Sequence, residues 1–153
     1  TRLHAKFISK IFGKKANHII PKNMKKVKNL LNKNQIVLCG GLRWRKNNTS
    51  DGTAAQLAGY LKCPLINLTN VKGLYTSDPK KNKNARLIKK ISWSEFNNIA
   101  KKVKFKAGQH FVLDQSAAKI IKKEKIPTFI VGNLKSIDNI INEEKFIGTK
   151  IQG

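Results

Sequence analysis

Two short stretches hold the residue types in this sequence best suited to chemistry. The first is CGGLRWRKNNTSDGTAA, residues 39–55. Gly40 and Gly41 follow an apolar run, and glycines there let a ligand approach the backbone. The helix predicted to begin near Asp51 offers unpaired N–H groups and the positive end of its dipole, where a phosphate can sit. Thr49 and Ser50 add hydroxyls, and Arg43, Arg45 and Lys46 add positive charge. A capped helix after a turn accounts for the same residues without a ligand. Asp51 sharpens the case. A first-turn carboxylate is favoured by the helix dipole, yet the chain has only Asp51, Asp78, Asp114 and Asp138 to place. The second stretch is LINLTNVKGLYTSDPKK, residues 65–81. Thr69 and Asn70 stand where a predicted strand ends. Tyr75 can cover a base or pack on the loop, Asp78 can accept hydrogen bonds from a ribose or an adenine edge, and Lys80 and Lys81 can face phosphates. A loop that only connects does not need that combination; a loop shaped to hold a nucleotide does.

The elements that must position these residues follow from periodicity. Apolar residues at Leu3, Phe7, Ile8 and Ile11 predict a helix over 3–13, and Met24, Val27, Leu30 and Leu31 predict a second one after Pro21. HII at 18–20 is a short strand candidate. QIVLCGG at 35–41 reads as a strand buried on both faces. Ala54, Leu57, Ala58 and Leu61 predict a packed helix capped by Thr49 or Ser50. PLINLT at 64–69 is a buried strand, LIKKIS after the basic loop a short one, and TFIVG at 128–132 a third apolar one. WSEFNNIAKKV at 93–103, SAAKIIKKEK and SIDNIIN read as helices, FKAGQHFVLDQ as turn, and GTKIQG as a closing edge strand. Strands alternating with helices predict an α/β domain with a mainly parallel sheet. Ligands of such sheets bind at the strands' carboxyl ends, so the two stretches should open onto one edge.

Composition bounds the function. The chain has 153 residues, 40% of them apolar, enough for one domain with a core. No apolar run approaches the roughly 18 residues of a membrane span, and the basic start TRLHAKFISKIFGKK lacks the apolar core of a signal peptide. Thirty-two Lys and Arg against eight Asp and Glu give a formal charge of +24. Nucleic-acid binding would account for that charge. However, the lysines are spread along the whole chain, and two Trp and two Tyr offer little to stack on bases. A lysine-rich background composition is the simpler reading. Either way the field draws in small phosphorylated anions. Cys39 and Cys63 form no C-x-x-C pair and read as reduced core residues of a cytosolic protein rather than metal ligands. His4, His18 and His110 have no mutual spacing suited to catalysis, and no metal-ligand set stands out.

At this point TNVKGLYTSDPKK resembles the T-[ND]-V-D-G-[VL]-Y-x-x-D-P signature of the amino-acid-kinase superfamily, a fixed spacing of rare pairings. Further segments are similar to those of archaeal-type UMP kinases: GG…TSDGTAAQLAGYL, NARLIKKIS, AGQHFVLDQSAAKIIKKEKIPTFIVGN, the closing IGTKI and the opening TRLHA. The resemblance is colinear over nearly the whole chain, and Asp51, Asp78 and Asp114 fall on its motif positions. It implies a three-layer α/β sandwich of the carbamate-kinase-like fold, and a uridylate kinase of pyrimidine synthesis that transfers the γ-phosphoryl group of ATP to UMP, with Mg²⁺ held through the ATP phosphates. Carried over by position, Gly40, Gly41, Leu42, Asn48, Thr49 and Ser50 would hold UMP. Thr69, Asn70, Tyr75 and Asp78 would hold ATP, and Asp51 would organise a catalytic lysine. The family is usually hexameric, so a cytoplasmic homo-oligomer is implied.

The chain corresponds to the C-terminal two-thirds of such a kinase. Residues 1–50 form the UMP-side helix and loop and 51–153 the ATP-binding part of one partial domain, while the family's N-terminal strands and their Gly-rich loops have no counterpart here. The expectation is a fragment or half of a split enzyme, with the N-terminal half a candidate separate chain. Between Gly41 and Asp51 there are two more residues than in the family pattern, and Leu42, Trp44 and Arg45 fill the place of its Pro-Gly turn. Lys72 replaces an Asp, His4 an Asn and Gln115 a Pro. The rival readings are a non-catalytic nucleotide-binding member of the same fold and a basic nucleic-acid-binding module, which would show a steep salt dependence of RNA binding.

Overall fold

The computed structural model describes residues 1–42, 49–102 and 112–153. In chain order these form α1 (Arg2–Phe12), a 3-10 turn, α2 (Met24–Leu31), α3 (Ser50–Leu61), β1 (Leu65–Leu68), β2 (Lys90–Ile91), α4 (Trp93–Lys102), α5 (Gln115–Glu124), β3 (Thr128–Val131), α6 (Leu134–Ile141) and β4 (Gly148–Ile151). The sheet order is β1-β3-β4-β2. β1 runs parallel to β3 and β2 parallel to β4, with β3 and β4 antiparallel between them. The expected α/β architecture with a mainly parallel sheet is what the chain forms.

The register explains the core. Leu65, Asn67, Thr128, Ile130, Thr149, Ile151 and Ile91 share one sheet face, because side chains alternate with period two and directly paired residues point the same way. Ile130, Ile151 and Ile91 pack there with Ala55 of α3, Phe96 and Ala100 of α4, and Ala117, Ala118 and Ile121 of α5. α5 is the centre of this layer, packed against both α3 and α4. Small residues on α3 and α5 let the two helices come close to each other and to the sheet. Burial of this kind is worth about 25 cal/mol per Å² of apolar surface.

Local chemistry fixes the helix ends. Thr49, Asn23, Asp114 and Asn133 each accept a backbone N–H in the first turn of the helix they precede. α4 starts with a capping box: the Glu95 carboxylate accepts from Ser92 N and Ser92 Oγ at 3.0 and 2.6 Å, while Glu95 N donates back to Ser92 Oγ. The Ser92 hydroxyl and backbone hold the Glu95 carboxyl below the usual range. α3 and α5 both end on a left-handed lysine, Lys62 and Lys125, followed by Pro64 and Pro127, which cannot continue a helix.

Several expectations need correction. Cys39 is half-buried and Cys63 exposed, so neither is a core residue. Residues 35–41 are not a strand buried on both faces; Ile36 makes one isolated parallel bridge, to Ala16, and residues 36–40 are half-buried. HII at 18–20 is not a strand either. The reason is the same for both: Asn17 takes the Leu38 backbone with its side chain, where a ladder would use a neighbouring strand. β4 is interior rather than an edge, because Lys90 and Ile91 pair outside it. The buried side of α3 is Gly52, Ala55 and Ala58, rotated from the expected set, with Ala54 exposed. On α1 the apolar stripe faces outward: Leu3 is 77%, Phe7 66% and Ile11 70% exposed, while Ala5 and Ser9 are buried.

Candidate functional site

The loop after β1 is held at both ends of its turn. Thr69 N donates to Val131 O at 2.9 Å, which extends the β1–β3 ladder by one residue. Val71 and Lys72 then press on the end of β3: a Cβ at Gly132 would stand 2.7 Å from Val71 O. Beyond Gly73 the chain becomes a hairpin. Ile88 N donates to Leu74 O, Thr76 N to Arg86 O, and Tyr75 pairs with Leu87. Asp78 sits in the hairpin's far turn. Its Oδ1 accepts from Lys80 N at 2.9 Å and its carbonyl from Asn82 N, the Asx geometry that Asp-Pro favours. Tyr75 is half-buried and Asn70 exposed, with its Oδ1 3.5 Å from the Thr69 hydroxyl. Lys80, Lys81, Lys83 and Arg86 are exposed around it.

α3 precedes β1 and α5 precedes β3, each running back along the strand that follows it. Both helix N-termini therefore lie at the carboxyl ends of those strands, beside the 69–73 loop and residues 132–133. Asn67 near the end of β1 donates to Val112 O, two residues ahead of Asp114, and draws the start of α5 onto β1. Thr49 Oγ1 accepts from Gly52 N at 3.0 Å, and the Thr53 hydroxyl donates to Thr49 O at 2.8 Å. Ser50 opens the helix and is exposed. Asp51 is half-buried beside Asp114. Burial pushes its carboxyl above the usual carboxylate range, the Asp114 charge pushes it the same way, and the Asp114 N–H that donates to it pulls it back. The Asp114 carboxylate itself accepts from Ala117 N at 2.8 Å. Two carboxylates at two helix N-termini, in a chain of net charge +24, are a fixed negative point suited to orienting an ammonium group.

Gly40 and Gly41 lie against the start of α1. A Cβ on Gly40 would stand 2.7 Å from Thr1 O, and Gly41 adopts φ 59°, which glycine tolerates best. Arg2 is pinned by donation to Ile20 O and Pro21 O, both at 3.2 Å. Asn17, 2% exposed, fixes the approach to the glycines: its Nδ2 donates to Ile19 O and Leu38 O at 3.0 Å, and its Oδ1 accepts from Leu38 N at 2.6 Å. Leu42 is buried, 4% exposed, and so packs rather than presents a side chain to a ligand.

The structure thus gathers Thr69, Asn70, Thr49, Ser50 and Asp51 at one sheet edge. Tyr75 and Asp78 belong to the hairpin that leaves that edge. Asn48, the rest of 43–48 and the segment 103–111 lie outside the described residues. Sequence reasoning missed Asn17, Gly132 and Thr149 as supports of the site. Gly132 ends an apolar strand and Thr149 stands in the Gly-Thr pair of IGTKI, so those two had a visible cue; nothing in the local sequence marks Asn17. Among the described residues no group of three or more His, Cys, Asp or Glu is placed to hold a metal ion, and no helix is long and apolar enough to cross a membrane.

Residues 1–132 match the amino acid kinase family. The chain belongs to that family. A uridylate kinase of Thermococcus kodakarensis is 38% identical over 133 residues, which cover 86% of this chain and 58% of the relative. A uridylate kinase of Methanopyrus kandleri is 31% identical over 157 residues, covering 100% of this chain and 68% of the relative. Among solved structures, the uridylate kinase from Archaeoglobus fulgidus superposes with a TM-score of 0.84 at 29% identity, covering 99% of this chain and 67% of that one. The chain therefore spans 58% of the length of the Thermococcus relative.

Proposed function

We propose that this chain is part of a uridylate kinase that transfers the γ-phosphoryl group of ATP to UMP and releases UDP and ADP. The observation that carries the reading is the match to uridylate kinases at 31–38% identity, on a chain whose α3 start at Thr49, Ser50 and Asp51 and whose 69–73 loop share one sheet edge. In this reading residues 1–50 form the acceptor side and 51–153 the nucleotide side of a single domain. Gly40, Gly41, Thr49 and Ser50 receive the UMP phosphate at the N-terminus of α3. Leu42, being buried, anchors the chain directly after Gly41. Thr69, Asn70 and Tyr75 line the ATP side. Asp78 shapes the hairpin through its Lys80 N–H contact and offers its remaining lone pairs to the nucleotide.

Phosphoryl transfer of this kind needs positioning and charge neutralisation more than covalent chemistry by the protein. A UMP phosphate oxygen forms the new bond to the γ-phosphorus as the bond to the β–γ bridging oxygen breaks, and ADP carries away that electron pair. Asp51 orients a lysine toward the transferring group. Mg²⁺, held through the ATP phosphates, would supply neutralisation of the phosphate charge. A cytosolic homo-oligomer belongs to the same reading, and Leu3, Phe7 and Ile11 on α1 are the exposed apolar surface it would bury.

The test is a coupled assay of the complete gene product with ATP–Mg²⁺, presenting UMP alongside CMP, AMP and isopentenyl phosphate. Preferential ADP release with UMP supports the reading. ATP binding without transfer to any acceptor would favour a nucleotide-binding protein of the same fold instead.

A further inference from the structure

Thr149 lies far from both loops in sequence, yet its hydroxyl joins the two arms of the hairpin that carries Tyr75 and Asp78. It accepts from Leu74 N at 2.8 Å on the outgoing arm and donates to Ile88 O at 2.6 Å on the returning arm. Thr149 is 0% exposed, so no water substitutes for it. Gly73 lies directly on it: a Cβ there would stand 2.7 Å from Thr149 Oγ1 and 2.9 Å from Leu87 Cδ1. One hydroxyl on β4 therefore sets where the chain turns from the sheet edge into the hairpin, while Gly132 bounds the same turn from β3.

We infer that Thr149 is a positioning residue for nucleotide binding. It touches no nucleotide itself and acts by fixing Gly73 and Leu74, and so the placement of Tyr75 relative to Thr69 and Asn70. The inference rests on the reading of residues 69–81 as the nucleotide side of the site.

Thr149→Val keeps the side-chain shape but leaves Leu74 N and Ile88 O without their partner, a cost paid in full by buried groups. Thr149→Ser restores the hydroxyl. The experiment measures ATP–Mg²⁺ affinity of the complete gene product by calorimetry, together with hydrogen exchange of the Leu74 amide. The expected result is about tenfold weaker ATP binding in T149V, faster Leu74 exchange, and recovery of both in T149S. Should T149V be unfolded, T149A takes its place, since it removes the donor and acceptor without a second methyl to accommodate. Unchanged ATP affinity in the hydroxyl-free variant overturns the inference, as does T149S binding no better than that variant. If the unmodified protein binds no ATP while its Leu74 amide still exchanges slowly and the hydroxyl-free variant's does not, the nucleotide reading of the hairpin fails and the inference falls with it, although the latch itself is real.

Discussion

Asn17→Ala is the substitution that most directly tests how the acceptor side is built. Asn17 makes three hydrogen bonds, to Ile19 O, Leu38 O and Leu38 N, and it stands where a strand would otherwise pair with residues 36–38. Removing the amide strands one donor and two acceptors. Each net bond is worth about 1 kcal/mol, and an unpaired buried group costs about 1–3 kcal/mol. Asn17 is 2% exposed but Leu38 is half-buried, so water recovers part of that cost. The expected loss is about 2–3 kcal/mol, read as a lower urea midpoint with the denaturant slope unchanged. Asn17→Asp should fare no better at neutral pH, because it sets a carboxylate against the Ile19 and Leu38 carbonyls. Leu38 leads directly into Gly40 and Gly41, so in the complete gene product N17A should raise KM for UMP while leaving KM for ATP nearly unchanged. A stability loss below about 0.5 kcal/mol, the range of an ordinary surface substitution, would refute the clamp.

Three further outcomes follow from the same geometry. Thr49→Ala removes the α3 cap and should cost about 1 kcal/mol by urea unfolding, whereas Thr49→Ser should cost little; equal losses in both would point away from the Gly52 N–H contact. Gly132→Ala forces a Cβ to within 2.7 Å of Val71 O; it should lower stability by about 1–3 kcal/mol and weaken ATP binding more than UMP binding, as calorimetry with each nucleotide would reveal. Asp51 has a folded-state pKa above its ordinary value, so the folded state holds that proton more tightly than the unfolded chain. Its stabilising contribution is present below the unfolded pKa and is lost as pH rises through the folded one, leaving ionised Asp51 a net cost at neutral pH. Asp51→Asn should therefore melt no lower than the unmodified protein at pH 7 while losing kinase activity. A lower melting temperature at that pH would show that the carboxylate is a structural partner rather than a site group.

The order of helices and strands was readable because the apolar periods are strong where the core forms. TFIVG and LINL became β3 and β1, and Ala117 and Ile121 of α5 are fully buried as their spacing required. The α3 cap was equally legible, since Thr49 acts through short-range backbone chemistry. The 35–41 run was misread because apolar content signals burial but not a pairing partner, and Asn17 supplies that partner from 21 residues away. The α1 stripe shows the same limit: Leu3, Phe7 and Ile11 have helical spacing, but spacing cannot say whether the stripe meets this chain's own core. In the candidate site, the residues with polar chemistry at a strand or helix end announced themselves. The buried supports did not, because Thr149 and Gly132 act through contacts with residues distant in sequence.

The account's central claim is tested most directly by following phosphoryl transfer itself. Phosphorus NMR of the complete gene product with ATP–Mg²⁺ and UMP should show the γ-phosphoryl signal of ATP replaced by the β-phosphoryl signal of UDP, and the Asp51→Asn variant should bind ATP with transfer lost. ATP consumption without UDP, or full UDP formation by the D51N variant, would contradict it.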